Sequence, residues 1–353
     1  MHRSLTTALA VLLAASASAK EAPAPANGWT TIQPGGDTVC ADGSPYSFSV
    51  KPAAGDKLVV FFNGGGACWS AETCDPKAER PVYFSTASLP GNNPADRSGI
   101  FDATRPDNPL RAWSIVVVAY CTGDSHIGAR RVTYGSGENS FAIEHKGYRN
   151  STAVLDWAFE HYPAAKSVLV TGSSAGAIAA PFYAGIVAKR YPAARVSVLG
   201  DGAGAYRTAA IPRIFRSWGV EDIAPDWLRT LGNRPLNTET FYQINATAFP
   251  HVRQAQYNAA GDAVQGIFLR LLGEQSEVEP ALRANLIELR RDIPEFRSFT
   301  APGTSHTVLG YPIFYDFAVE GVSPSRWVAD LVAGRAIDDI DCVDDAKGCI
   351  VPP

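Results

Sequence analysis

Residues 168–176 read VLVTGSSAG. A β-branched apolar run stops at Gly172, two serines follow, and Gly176 opens a stretch with helical pattern up to Arg190. The five residues Gly172-Ser173-Ser174-Ala175-Gly176 match G-x-S-x-G. The motif alone is a weak signal. Its strand-before and helix-after setting makes it a candidate nucleophile elbow, in which a sharp turn lifts the serine hydroxyl clear of a sheet. In that register the nucleophile is Ser174, with Ser173 in a supporting position.

Working outward, similar runs recur. LVVFF (58–62) leads into NGGGAC, SIVVVAY (114–120) into CTGDSH, RVSVLG (195–200) into DGAG, and FRSFT (296–300) into APGTSH. Apolar runs without alternation suit strands buried on both faces. Ser151 to His161 reads as an intervening helix. The alternation predicts an α/β fold, α/β-hydrolase-like, with a mainly parallel central sheet flanked by helices. Residues 205–295 look different, with Trp218, Trp227, several prolines and amphipathic stretches near 252–272 and 278–291. They are expected to form a helical insertion over the active-site edge, within a single catalytic domain spanning 39–353.

The chain starts with Arg3, an apolar stretch and Ala17-Ser18-Ala19, which together read as a signal peptide over 1–19 and imply secretion or a periplasmic location. A Pro/Gly/Ala-rich lead-in, extended and poorly ordered, is expected over 20–38. Net charge is −4, with no basic run, which argues against nucleic acid as a partner. No segment reads as a transmembrane span. Six cysteines in an exported chain suggest disulfides. Spacing favours Cys68 with Cys74 and Cys342 with Cys349, leaving Cys40 with Cys121. No zinc-type spacing is present, and no metal or organic cofactor is expected.

Loop ends of parallel strands gather on one edge of a sheet, and chemistry collects there. Gly64-Gly65-Gly66, after LVVFF, is placed to offer amides to an oxyanion, together with the Ala175 amide at the helix start. His306 is the candidate base, since it follows a late strand and comes after the serine in chain order. The acid is open on local pattern alone: Asp201 (LGDGAG) and Asp262 (NAAGDAVQ) fit equally well. His126, Trp69 and Asp201 are candidates for the substrate pocket, with Trp218 and Trp227 as further aromatics.

These residues resemble the pectin acetylesterase and Notum family of serine carboxylesterases, its secreted bacterial branch more than its plant or animal members. The matching pieces are Cys40-Ala41-Asp42-Gly43-Ser44-Pro45-Tyr46, Gly64 to Trp69, Tyr120-Cys121, the elbow, Asp262 to Gln265 and Gly303 to His306. The resemblance implies a catalytic triad of Ser174, Asp262 and His306, because the family's acid lies in a D-x-x-Q element. It maps the oxyanion amides to Gly65, Gly66 and Ala175. It implies hydrolysis of acyl esters, acetyl above all, on a small-molecule or pectin-like polysaccharide substrate. A lipid- or protein-acyl esterase is the alternative enzyme, and a catalytically dead hydrolase-fold binding protein is the alternative from another class. The chain departs from the plant and animal pattern at Asn63, at Ala67 and at Thr307.

Overall fold

The computed structural model describes residues 28–231 and 235–342. The expected signal peptide and Cys349 lie outside these residues. In chain order the strands are β1 (Thr30–Ile32), β2 (Phe48–Lys51), β3 (Lys57–Phe62), β4 (Ser114–Val118), β5 (Arg130–Tyr134), β6 (Phe141–His145), β7 (Ser167–Ser173), β8 (Arg195–Asp201), β9 (Arg253–Ala259), β10 (Arg297–Ala301) and β11 (Ile340–Asp341). Among the described residues nine of them form one sheet, ordered β1-β2-β4-β3-β7-β8-β9-β10-β11, and β5 with β6 forms a separate hairpin. From β4 to β11 all pairings are parallel, while β1 and β2 add antiparallel at one edge. The expected mainly parallel sheet is present.

The unbroken apolar runs have a simple cause. Side chains alternate across a strand, and here both faces are covered. Val60, Val116, Val170 and Val198 enter the core under α1 (Gly147–His161) and α2 (Ala175–Arg190). On the other face, Phe61, Val117, Leu169 and Leu199 form a second core with Trp327, Val328 and Leu331. Each such buried side chain contributes roughly 1.5–3 kcal/mol.

Two expectations need correction. Residues 30–32 of the lead-in are not loose chain but pair with β2 as an edge strand. Residues 205–295 are not a continuous helical insertion. Between β8 and β9 lie α3 (Ala210–Trp218), α4 (Val220–Ile223) and α5 (Thr238–Ala248). The chain then re-enters the sheet as β9, followed by α6 (Ala263–Leu271) and α7 (Val278–Asp292). The strand was hidden by its sequence, RQAQYNA. Gln254, Gln256 and Asn258 are buried polar residues on one face: Gln254 Nε2 donates to the Tyr242 carbonyl, Gln256 Oε1 accepts from the Asn285 amide, and Asn258 Oδ1 accepts from the Gly204 N–H. An inward polar face reads as amphipathic when only apolar positions are counted. After β10 come α8 (Ile313–Asp316) and α9 (Pro324–Ala333).

Two of the three expected disulfides, Cys40–Cys121 and Cys68–Cys74, are formed. No helix among the described residues is long and apolar enough to cross a membrane.

Candidate active site

β7 ends at Ser173 and α2 begins at Ala175, so Ser174 occupies the turn between them. Its backbone sits at φ 56°, ψ −122°. A non-glycine residue in that region carries about 1–3 kcal/mol of strain, which surrounding contacts must hold. Here the Ser174 N–H donates to the Asp201 carbonyl at 2.8 Å, and its own carbonyl accepts from the Ala177 N–H at 2.8 Å. Gly176 is fixed by close approach: a Cβ there would lie 2.0 Å from the Phe62 carbonyl oxygen. Glycine lets α2 start against the end of β3. The Ala175 amide, first in the helix, has no intrahelical acceptor and stands at the positive end of the helix dipole.

Five strand ends meet at this edge. In sheet order they carry the glycine loop (β3), Ser174 (β7), Asp201 (β8), Asp262 (β9) and the His306 segment (β10). The His306 imidazole lies against Asp262, with Nδ1 2.9 and 2.8 Å from its two carboxylate oxygens. Asp262 is fully buried and caps α6. It accepts from the N–H groups of Val264 (3.0 Å) and Gln265 (2.9 Å) and from Gln265 Nε2 (2.9 Å), which fix its orientation. The other imidazole nitrogen, Nε2, is buried and has no hydrogen-bond partner among the described residues. Ser174 and His306 line the same cavity.

The alternative acid, Asp201, has a different post. It is fully buried and takes hydrogen bonds from Ser173 Oγ (2.8 Å), Val308 N (3.1 Å) and Leu309 N (3.0 Å). Strands β7 and β10 are three spacings apart, about 14 Å. The chain after β10 must therefore run back across the sheet to approach the serine. Asp201 ties residues 308 and 309 of that returning segment to the residue beside Ser174. Burial pushes its carboxyl up to about 6, against the pull of those donors.

The glycine loop is held by its carbonyls. Gly65 O accepts from the Phe84 N–H at 2.8 Å. A trans peptide points N–H opposite C=O, so the Gly66 amide faces away from Phe84. Gly66 adopts φ +76°, and a Cβ on it would lie 1.8 Å from Val82 O. One step earlier, His126 Nε2 bonds the Asn63 carbonyl at 2.7 Å. Since that oxygen only accepts, the Nε2 atom carries the proton. Burial pushes the His126 imidazole down to about 4.

His126 and Asp201, expected at the substrate pocket, are instead buried beneath the site, at 1% and 0% exposure. Both brace backbone, and their burial keeps them from substrate. Trp69 does line a cavity wall, as does Trp218. Trp227 packs edge-on against Phe249. Sequence reading missed the asparagine pair beneath the loop. Asn63 Nδ2 donates to Gly91 O (2.8 Å) and Asn92 Oδ1 (2.7 Å), and Asn92 Nδ2 donates to Tyr120 O (2.8 Å). The departure at Asn63 was the one available signal.

Two cavities meet at Ser174. The first is about 40 Å³, apolar, and walled by residues including Trp69, Ile178, Phe215, Trp218 and Phe268. The second is about 390 Å³ and more polar, and reaches Gly65, His306, Phe84, Arg97 and Tyr311. Cys68, Cys74 and His145 come close enough to share a metal ion. However, the two sulfurs are bonded to each other, and both His145 nitrogens are engaged, by Tyr134 Oη and the Thr122 carbonyl.

A family model described as Pectinacetylesterase matches residues 27–212. That range contains the glycine loop, Ser174 and Asp201, and ends before Asp262 and His306. Palmitoleoyl-protein carboxylesterase notum1' of Xenopus laevis is 32% identical over 145 residues, covering 39% of this chain and 28% of the relative. Notum1 of the same animal, with the same descriptive name, is 30% identical over 175 residues, 46% of this chain and 34% of the relative. A Danio rerio relative named inactive palmitoleoyl-protein carboxylesterase notum1b is 33% identical over 95 residues, 26% of this chain and 66% of the relative. The chain thus matches 28% and 34% of the length of the first two relatives.

Proposed function

The chain belongs to the pectinacetylesterase family, and from that premise we propose that it is an exported serine carboxylesterase that removes short acyl groups, acetyl above all. The observation that carries this reading is the His306–Asp262 pair on the cavity shared with the strained Ser174. Asp262 holds the imidazole tautomer with the proton on Nδ1, leaving Nε2 to accept one. The Ser174 oxygen attacks the ester carbonyl while His306 takes its proton. The amides of Gly65, Gly66 and Ala175 receive the developing oxyanion. His306 then protonates the departing alcohol as the carbon–oxygen bond breaks. A water molecule, deprotonated by His306, cleaves the acyl-serine and returns the enzyme.

Cavity size supports a short acyl group. The apolar lobe, about 40 Å³, has room for a methyl or a few more carbons, and aromatic and branched side chains wall it. The larger lobe suits the alcohol part, and a pectin-like polysaccharide is the substrate setting favoured by the family. Two disulfides support an oxidising compartment.

Ser174→Ala tests the assignment. The variant is expected to lose turnover of p-nitrophenyl acetate and labelling by a fluorophosphonate, with the wild-type circular dichroism kept. Retained turnover would remove Ser174 from the mechanism. In a series of p-nitrophenyl esters from acetate to palmitate, kcat/KM should fall beyond about four carbons. A rise toward palmitate would favour the long-acyl activity for which the vertebrate relatives are named, and failure of the wild-type protein to label would favour a binding protein.

A further inference from the structure

A chain of buried carboxamides ends on the acid of the proposed triad. Asp262, Gln265, Asn258 and Asn285 are at most 1% exposed. The two oxygens of Asp262 are served differently. Oδ1 accepts from the backbone N–H groups of Val264 and Gln265, at 3.0 and 2.9 Å. Oδ2 has one donor besides His306 among the described residues, the Gln265 Nε2 amide at 2.9 Å. A carboxylate withdrawn from water needs such donors to stay charged.

Shape does not tell the two ends of a carboxamide apart, but the backbone does. The Ala205 N–H donates to Gln265 Oε1 at 2.8 Å. A backbone N–H only donates, so that end is the oxygen and the NH₂ end faces Asp262. The Gly204 N–H fixes Asn258 in the same way, donating to its Oδ1 at 2.8 Å. That oxygen lies 3.5 Å from Gln265 Nε2 and gives the second amide hydrogen a long contact. Behind it, Asn258 Nδ2 and Asn285 Nδ2 both donate to Gln256 Oε1, at 3.4 and 2.9 Å. A flipped Gln265 would set its oxygen against the Asp262 carboxylate and its NH₂ against the Ala205 N–H. One orientation is therefore enforced from both ends. The segments that enforce it are separate in the chain: α6 carries Gln265, β9 carries Asn258, and Gly204 and Ala205 follow β8.

We propose that Gln265 is a positioning residue of the ester-cleaving site: its carboxamide, locked by Ala205, donates to Asp262 Oδ2 and keeps that carboxylate charged and turned toward His306. The proposal rests on the esterase reading above and adds a fourth side chain to its proton handling. Gln265 acts through Asp262 and touches no reacting atom. Glutamate at 265 separates this role from packing. It has the size of glutamine, and one of its oxygens can still accept from Ala205. The other donates to Asp262 only while it holds a proton. Two adjacent buried carboxyl groups resist ionising together, so a shared proton is retained on the acid side. As pH rises that proton leaves, and the donor becomes a second negative charge against Oδ2. The other titratable groups whose charge is felt here are Asp201 at His306, and Tyr206 and Tyr257 at Asp262. Burial pushes both phenols far up, so they stay neutral, and Asp201 is common to every variant.

The test measures kcat and KM for p-nitrophenyl acetate against pH in wild type, Gln265→Glu and Gln265→Met. Wild-type kcat/KM should rise with pH to a plateau, as a histidine base requires. The Q265E profile should rise with it and then fall where wild type is still level, giving a bell. Q265M fills the space without a donor. It should lower kcat by roughly 10–100-fold across the range, the scale of one hydrogen bond to a charged group, with KM within about twofold. A Q265E profile that runs parallel to wild type would overturn the proposal, because packing alone predicts that shape. So would a Q265M kcat within about threefold of wild type. If Q265E does not fold, Q265M decides, and a loss confined to KM overturns the proposal equally. Variants as active as wild type leave the esterase reading standing. Wild-type inactivity on p-nitrophenyl acetate would overturn the two together.

Discussion

At the scale of single residues, strain and support sit side by side around Ser174. Its φ of 56° is a conformation that glycine adopts freely and serine does not. Removing the hydroxyl in two ways separates chemistry from strain. Ser174→Gly and Ser174→Ala should both be inactive, yet the glycine variant should be the more stable by about 1 kcal/mol in urea unfolding. Equal stability would mean that the elbow stores no strain at this residue. Asp201 bears on the same turn from below. Asparagine there would present an NH₂ group to amides that now donate to carboxylate oxygens. Asp201→Asn is expected to lower kcat by roughly 10–100-fold with KM little changed, because the segment that follows His306 would shift. The shape of the pH–rate profile should survive, since Asp201 does not touch the reacting atoms. A kcat within twofold of wild type would show that the returning segment holds itself.

At the scale of elements, the two disulfides separate stability from activity. Cys40–Cys121 closes 81 residues and Cys68–Cys74 only six. In the chain-entropy account these contribute about 4–5 and about 2 kcal/mol respectively. The short bridge, however, follows directly on Gly66, and Trp218 Nε1 donates to the Cys68 carbonyl at 3.0 Å, joining α3 to that loop. Replacing Cys40 and Cys121 by serine should therefore cost more melting temperature. Replacing Cys68 and Cys74 should cost more kcat on p-nitrophenyl acetate, on the order of tenfold. The reverse ordering would detach the bridge from the site. The same elements show what a sequence makes legible. β3, β4, β7 and β8 were readable because both their faces are apolar, and each announces its end with glycine or polar residues. β9 was not, because Gln254, Gln256 and Asn258 put a polar face inside the protein, bonded to Tyr242, Asn285 and Gly204 of other segments. Nor was the wall of the larger cavity: residues 90–101 are single turns of 3₁₀ helix with no period, so nothing marked Asn92 or Arg97. Ser174 and His306 carried strand-end signals. Asp262 and Asp201 carried the same signal, and the difference between them lies in sheet order, which local pattern does not encode.

At the scale of the whole molecule, four buried titratable groups under the site pull stability in opposite directions. Burial pushes Asp124 and Asp201 up from 3.8 to about 6. It pushes His126 and His145 down from 6.5 to about 4. A carboxyl with a raised folded pKa keeps a proton that the unfolded chain has released. Its contribution is full below pH 3.8 and is lost as pH climbs through 6. A histidine with a depressed folded pKa does the opposite: its contribution is present above pH 6.5 and is lost as pH falls through 4. Across the window from pH 4 to pH 6 the two pairs largely offset each other. Single substitutions should expose the hidden slopes. With Asp201→Asn, one falling component is removed, so stability should rise more steeply with pH than in wild type. With His126→Gln, one rising component is removed, so the profile should tilt the other way. Each difference should amount to about 3 kcal/mol across the window, from a shift of roughly two units at about 1.4 kcal/mol per unit. Urea unfolding at several pH values between 4 and 6 reads both slopes. Variant profiles that run parallel to wild type would mean that these groups titrate alike in the folded and unfolded chains. Opposite tilts would place the offset in the layer that braces the Asn63 carbonyl and the segment following His306.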